Sequence, residues 1–218
     1  MEINKAAVTT KATATAEDLL LINRHALREL TAEDVFVFKV RACDDQVDRD
    51  LERFTEATLV VLAKLFVGKT VIFDHKWSAG QQTARIFETS VEKTADCNVL
   101  IAKCYMLRND STKDLIAAIE GGILREVSVG CAISRVVCSI CGENYGTCGH
   151  RKGETYDGKT CICELHDPVD AYELSFVAVP AQPLAGVTKG AKIKSWTAED
   201  HSAAKAQLEI EQEKWRYV

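Results

Sequence analysis

The sequence predicts an α+β fold, mostly antiparallel, and two observations carry that prediction. Most apolar runs are short, β-branched and alternating, as in VFVFKV at 35–40, and turn residues separate them. The helix-like segments are few and brief, and several open on capping residues. A chain of 218 residues is long enough for one real core, burying on the order of 70% of its unfolded surface.

The elements follow in order. Residues 1–14 are rich in Thr, Ala and Lys and should lack fixed structure. Thr15-Ala16-Glu17-Asp18 caps a helix expected to reach Leu30, with Leu19, Leu20, Ile22 and Leu27 on its apolar side. The same tetrapeptide recurs at Thr31–Asp34 but runs directly into VFVFKV, where alternation predicts a strand. A helix at 55–67 leads to a strand at 69–74 that ends against His75. Segments 83–92 and 97–106 form a hairpin, and a helix at 111–120 stops at Gly121-Gly122. Strands at 124–137 and 169–179 carry Ser128 and Glu173. Another Thr-Ala-Glu-Asp cap at Thr197 opens a terminal helix through Trp215, joined to the body by Ala191–Ser195. The chain thus divides into a tail and helix (1–30), a main domain (31–190) with a Cys/His-rich insert at 138–166, and a helical tail (191–218).

Composition narrows the function classes. Apolar content of 47% and charged content of 27% are those of an ordinary globular protein. A formal charge of −5 argues against a surface that neutralises phosphates, so no nucleic-acid partner is expected. No apolar run approaches the ~20 residues of a membrane span, and the polar N-terminus is no signal peptide, so a cytoplasmic protein is expected. There is no Walker loop, dinucleotide fingerprint, HExxH helix or Gly-x-Ser-x-Gly elbow.

Nine cysteines need a reason in a reducing compartment. Cys43, Cys97, Cys104 and Cys131 are scattered through apolar strands, as small buried hydrophobes are. The other five, Cys138, Cys141, Cys148, Cys161 and Cys163, cluster with His150 and His166. Cys-x2-Cys followed by Cys-x-His is metal-ligand spacing, and Cys138, Cys141, Cys148 and His150 complete a tetrahedral Cys3His set for zinc. Four protein ligands leave no open position, so the metal is expected to be structural. A redox dithiol and free thiols are the other readings. Whether Cys161, Cys163 or His166 replaces one of the four is open at this level.

Three distant segments interrupt apolar runs with reactive residues: Phe73-Asp74-His75-Lys76-Trp77, Glu126-Val127-Ser128-Val129-Gly130 and Tyr172-Glu173-Leu174-Ser175-Phe176. A polar group in a buried run is costly unless paired. Period-2 alternation sets Ser128 beside Glu126 and Gly130 on one face, and Glu173 beside Ser175 on another, with Tyr172, Leu174 and Phe176 opposite. A serine, a histidine and a carboxylate are the parts of a nucleophile, base and orienter set. Asp170 and Asp167 are rival orienters, a Ser-Lys dyad with Lys103 or Lys113 is conceivable, and Ser175 would suit a backbone hydrogen bond.

The segment AYELSFVAVPAQPLAGV (171–187) resembles the C-terminal signature of tailed-bacteriophage prohead (capsid-maturation) proteases. The Asp74-His75 motif, the apolar-Ser-apolar-Gly strand at 127–130 and the Asp-rich turn at 48–54 come in that family's order. Gln182 stands where Asn is usual, and the Cys/His insert is an addition. The resemblance spans about residues 34–188 and implies His75 as base, Ser128 as nucleophile and Glu173 as orienter. It also implies a mostly antiparallel β-barrel flanked by helices, like that of the phage enzymes and the herpesvirus assembly proteases. The implied activity is serine endopeptidase cleavage of phage scaffold or major capsid protein, with possible self-trimming and homo-oligomer formation. The implied place is the bacterial host cytoplasm, inside the assembling prohead. The rival readings are a non-enzymatic zinc-stabilised scaffold protein and a zinc-dependent hydrolase.

Overall fold

The computed structural model describes residues 14–188. The N-terminal tail and the helix expected from Thr197 lie outside the described residues. Three α-helices and ten strands follow one another: α1 (Ala16–Ile22), β1 (Val35–Asp44), β2 (Glu52–Phe54), α2 (Glu56–Phe66), β3 (Thr70–Phe73), β4 (Ala84–Lys93), β5 (Asn98–Leu107), α3 (Lys113–Glu120), β6 (Val127–Cys138), β7 (Thr155–Tyr156), β8 (Lys159–Thr160), β9 (Cys163–Phe176) and β10 (Gly186–Thr188). The α+β class is as expected. The sheet has eight strands in the order β10-β1-β5-β4-β3-β9-β2, with β6 pairing β9. Most pairs are antiparallel, but β2 and β3 run parallel to β9.

The expected barrel is not closed. At the seam, β10 meets the chain entering β6 at one bridge, Glu126–Gly186, with the Val187 N–H donating to Arg125 O at 2.8 Å. Three residues of β10 are too few for a ladder that would seal the edge. Register shifts at Gly130/Cys131 and Ala132/Ile133 further bend the β6–β9 pair, as bulges do.

Helix α1 is shorter than its apolar pattern suggests. It has the capping box at Thr15 and Asp18, but it ends at Ile22 because the Asn23 amide turns to the backbone of Leu30: Nδ2 donates to Leu30 O (3.0 Å) and Oδ1 accepts the Leu30 N–H (2.8 Å). That bridge folds residues 24–29 into a loop and leaves Leu27 fully exposed instead of on the helix face. The glutamate strand begins at Cys163, earlier than expected, and runs through Pro168. Strands β2 and β10 were not expected; three residues are too short to show a period.

The sheet has two covered faces, and this decides where the site lies. Phe36, Phe38, Val40, Cys104, Val71, Leu174, Phe176 and Val127 point to the main core, closed by Leu59, Leu62 and Phe66 of α2. The alternate residues Val35, Val37, Phe87 and Tyr105 face the other way, under Ile22 of α1 and Leu30. By the same alternation, Thr70 and Ile72 of β3, Glu173 and Ser175 of β9, and Ser128 and Gly130 of β6 belong to this second face. Gln182 is buried and takes both backbone groups of Asp44, accepting its N–H (2.6 Å) and donating to its carbonyl (2.9 Å).

Candidate active site and metal centre

Strand β9 is the axis of the site. On one side Ser175 is in register with Ile72 of β3, and on the other with Ser128 of β6; Gly130 opposes Glu173. At the end of β3 the chain turns sharply through Asp74 (φ 50°) and His75 (φ 53°), both left-handed, an uncommon conformation for residues with a Cβ. Two bonds to β9 hold the turn: the Asp74 N–H donates to Phe176 O and the His75 N–H to Ser175 Oγ, each at 3.0 Å.

This turn swings the imidazole over Glu173. His75 Nδ1 lies 2.7 Å from Glu173 Oε1, and Ser175 Oγ–H donates to Glu173 Oε2 at 2.5 Å. Glu173 is 2% exposed and Ser175 fully buried, whereas the His75 side chain is 43% exposed. Against an ionised carboxylate, which can only accept, a neutral imidazole carries its proton on Nδ1 and its lone pair on Nε2. The carboxylate fits because position 130 has no side chain; a Cβ there would collide with Glu173 Oε1. Gly130 therefore makes room for the carboxylate.

The structure joins His75 to Glu173 and sets Ser128 one strand away. Directly opposed residues have Cβ atoms about 4.5–5.5 Å apart, so Ser128 neighbours the Ser175 hydroxyl that completes the pair. Ser128 is half-buried, and among the described residues its hydroxyl makes no hydrogen bond. Three of the four rival groups are engaged elsewhere: Asp170 with Lys69 (3.0 Å), Asp167 with Arg135 (2.6 Å), and Lys103 with Asp18 and Glu88 (3.1 and 2.6 Å). Ser175 is the residue of this cluster that sequence reasoning undervalued. Its place two residues beyond Glu173 on the same face was the available signal.

The nearby ionisable groups respond to this environment. Burial, with the Glu173 charge beside it, pushes the Cys131 thiol up to about 11, keeping it neutral. In the Asp-rich turn Asp48 is 7% exposed and accepts the N–H groups of Asp50 (2.9 Å) and Glu52 (2.8 Å). Burial outweighs those bonds and, with the charges of Asp50 and Glu52, raises its carboxyl to about 6. The Arg49 N–H donates to Ala181 O at 3.0 Å, so this turn fastens the segment that follows β9.

The Cys/His cluster lies at the far end of the β6–β9 arm. Cys138 closes β6, its N–H donating to Glu143 O and its carbonyl accepting from Gly142, both at 2.9 Å. Gly142 (φ 74°) takes the left-handed turn that brings Cys141 back toward Cys138. The ligand atoms of Cys138, Cys141, Cys148 and His150 all lie within 4.8 Å of one another and can hold a metal ion. The donor set fits: among the described residues His150 Nδ1 is buried without a hydrogen-bond partner, and its ring lies edge-on to Tyr156 at 4.5 Å. Cys163 and His166 stand outside this group, although Cys161 Sγ lies 3.7 Å from Cys138 Sγ. Burial opposes ionisation of Cys138, but N–H groups of Cys141 and Ile140 and the Cys161 and Cys141 thiols draw its pKa down to about 6. A thiol so readily ionised is ready to bind a cation. The β7–β8 hairpin, turned at Asp157-Gly158 with both φ positive, completes the insert.

Among the described residues no helix is long and apolar enough to cross a membrane. No family model matches the chain, and no curated protein and no solved structure matches it either.

Proposed function

We propose that this chain is a serine endopeptidase in which Ser128 is the nucleophile, His75 the general base and Glu173 the orienting carboxylate. The observation that carries the reading is the buried Glu173 bonded to Nδ1 of a half-exposed His75, with a serine in register one strand away. Ser128 Oγ attacks the scissile carbonyl while His75 Nε2 takes its proton and later returns it to the leaving amine. Glu173 fixes the tautomer and stabilises the imidazolium; Ser175 holds Glu173 and, through the His75 N–H, the turn itself. Backbone N–H groups would stabilise the oxyanion.

The resemblance to prohead proteases suggests the setting: cleavage of phage scaffold or capsid protein within the assembling prohead, in the bacterial cytoplasm. The Cys138, Cys141, Cys148 and His150 set would hold structural zinc and order the insert, with all four positions filled by protein. One observation favours a second reading, a non-enzymatic zinc-stabilised assembly protein: Ser128 Oγ makes no bond to His75. Catalytic hydrogen bonds are often loose without substrate, which weighs against that alternative.

The test is mass spectrometry of freshly expressed protein, and of scaffold and capsid substrates, beside Ser128→Ala. The variant should fold normally and lose cleavage by several orders of magnitude. Undiminished cleavage by the folded variant refutes the peptidase.

A further inference from the structure

Beside the His75–Glu173 pair lies an aromatic surface that neither the pair nor the core uses. Trp77 is 72% exposed, and its ring centroid lies 5.0 Å from that of Tyr172, itself 39% exposed. Trp77 is two residues beyond His75, and Tyr172 immediately precedes Glu173. Single exposed apolar residues are ordinary on a protein surface. Here the exposure is built into the strand. Alternation from Leu174 would direct Tyr172 inward, but β6 passes from Gly130, opposite Glu173, to Cys131, opposite Ala171, leaving Tyr172 unpaired in a bulge. Ala171 then fills the core position at 0% exposure. The strand thereby exchanges a buried aromatic ring for a buried methyl group and displays the tyrosine next to the orienting carboxylate. Re-aiming a side chain beside an active site is a recognised use of a bulge.

The surroundings indicate what such a surface would accept. Two charged pairs stand close by in sequence, Lys76 with Asp74 (3.4 Å) and Lys69 with Asp170 (3.0 Å), and each is neutral as a pair, so neither favours an ionic ligand. On β6, alternation turns the N–H and C=O of Val129 away from β9, and among the described residues no strand pairs with them there. An extended polypeptide can take up that edge as an added strand.

We propose that Trp77 and Tyr172 form a substrate subsite: a rigid aromatic floor for one large apolar side chain of an extended polypeptide. The inference rests on the peptidase reading. Tyr172 lies three residues along β9 from Ser175, the partner of Ser128. At about 3.3 Å per residue, the side chain on this floor is about three residues from the cleaved bond. The floor is open, so it selects a class of side chain rather than a single residue.

The test compares the wild-type full chain with Trp77→Ala, Tyr172→Ala and Ser128→Ala on a decapeptide library read by mass spectrometry. Peptides cut by the wild type should be enriched for Leu, Ile, Met, Phe, Tyr or Trp at one position about three residues from the cut. Either aromatic variant should flatten that preference and raise KM on the order of tenfold, with kcat within about threefold. Unchanged preference and KM in Trp77→Ala overturns the subsite while leaving the peptidase intact. If the wild type cuts nothing, or Ser128→Ala cuts equally well, the peptidase reading fails instead. The floor is then decided by binding: apolar-rich and all-polar decapeptides are titrated against Ser128→Ala with and without Trp77→Ala. Equal binding in both backgrounds overturns it, whereas loss of the apolar preference with Trp77→Ala supports it. Circular-dichroism melting confirms that each variant is folded.

Discussion

Replacing Gly130 by alanine adds one methyl group and should disable the site from beneath. Gly130 lies outside the left-handed region, so alanine meets no backbone strain and the effect is steric. The new Cβ would strike Glu173 Oε1 and press within 3.1 Å of its Cδ. Glu173 has little freedom to retreat, being 2% exposed and held by His75 through Oε1 and Ser175 through Oε2. Either the carboxylate swings away, losing a hydrogen bond to a charged group worth about 1.5–3 kcal/mol, or the strands part to relieve overpacking of about 1–3 kcal/mol. These are alternative outcomes, so the expected loss is about 2–3 kcal/mol rather than their sum. For a domain of this size that lowers Tm by roughly 5–10 °C. If the carboxylate moves, turnover should fall by about 10⁴-fold, as when an orienting group is lost. Urea and thermal unfolding measure the first effect, and cleavage kinetics the second. The decisive comparison uses a Glu173→Ala background, which removes the struck atoms. There the added methyl should cost less than about 1 kcal/mol, a non-additivity expected only of residues in contact. An equal penalty in both backgrounds, or a Gly130→Ala protein as stable as the wild type, would refute the placement of Glu173 against Gly130.

Further outcomes follow from other parts of the site. Glu173→Gln should reduce turnover strongly while Asp170→Asn, which only breaks the pair with Lys69, should change it little; the reverse ranking in steady-state kinetics would reassign the orienter. Cys138→Ser should abolish binding of about one metal ion per chain by elemental analysis and speed hydrogen exchange across the insert. Cleavage should survive metal removal wherever the body of the sheet remains folded. Asp48 binds its proton more tightly in the folded chain, near pH 6, than its ordinary 3.8. The contribution of Asp48 to stability should therefore be full below about pH 4, fall by on the order of 2 kcal/mol as pH rises to about 6, allowing for solvent screening, and stay lost above that. Asp48→Asn should remove that slope in urea unfolding measured across the range.

Local pattern and spacing determined much of this protein. Alternation in VFVFKV was enough to place β1, and the Thr15 cap placed the start of α1, because both signals act within a few residues. The Cys-x2-Cys and Cys-x-His spacings pointed to the ligand group, since tight turns bring nearby donors together whatever the rest of the chain does. His75 and Glu173 could be nominated from sequence because a polar residue in an apolar strand calls for a partner, but their 2.7 Å contact depends on a left-handed turn held by β9. Tertiary structure alone decided the rest. The early end of α1 depends on the Asn23 amide finding Leu30, and the position of Tyr172 on a bulge that no alternation pattern can encode. The open seam beside β10 depends on how many residues meet across it. Ser175 acquires its role only when β3, β6 and β9 lie side by side, where a buried hydroxyl must satisfy one partner and is placed to satisfy two.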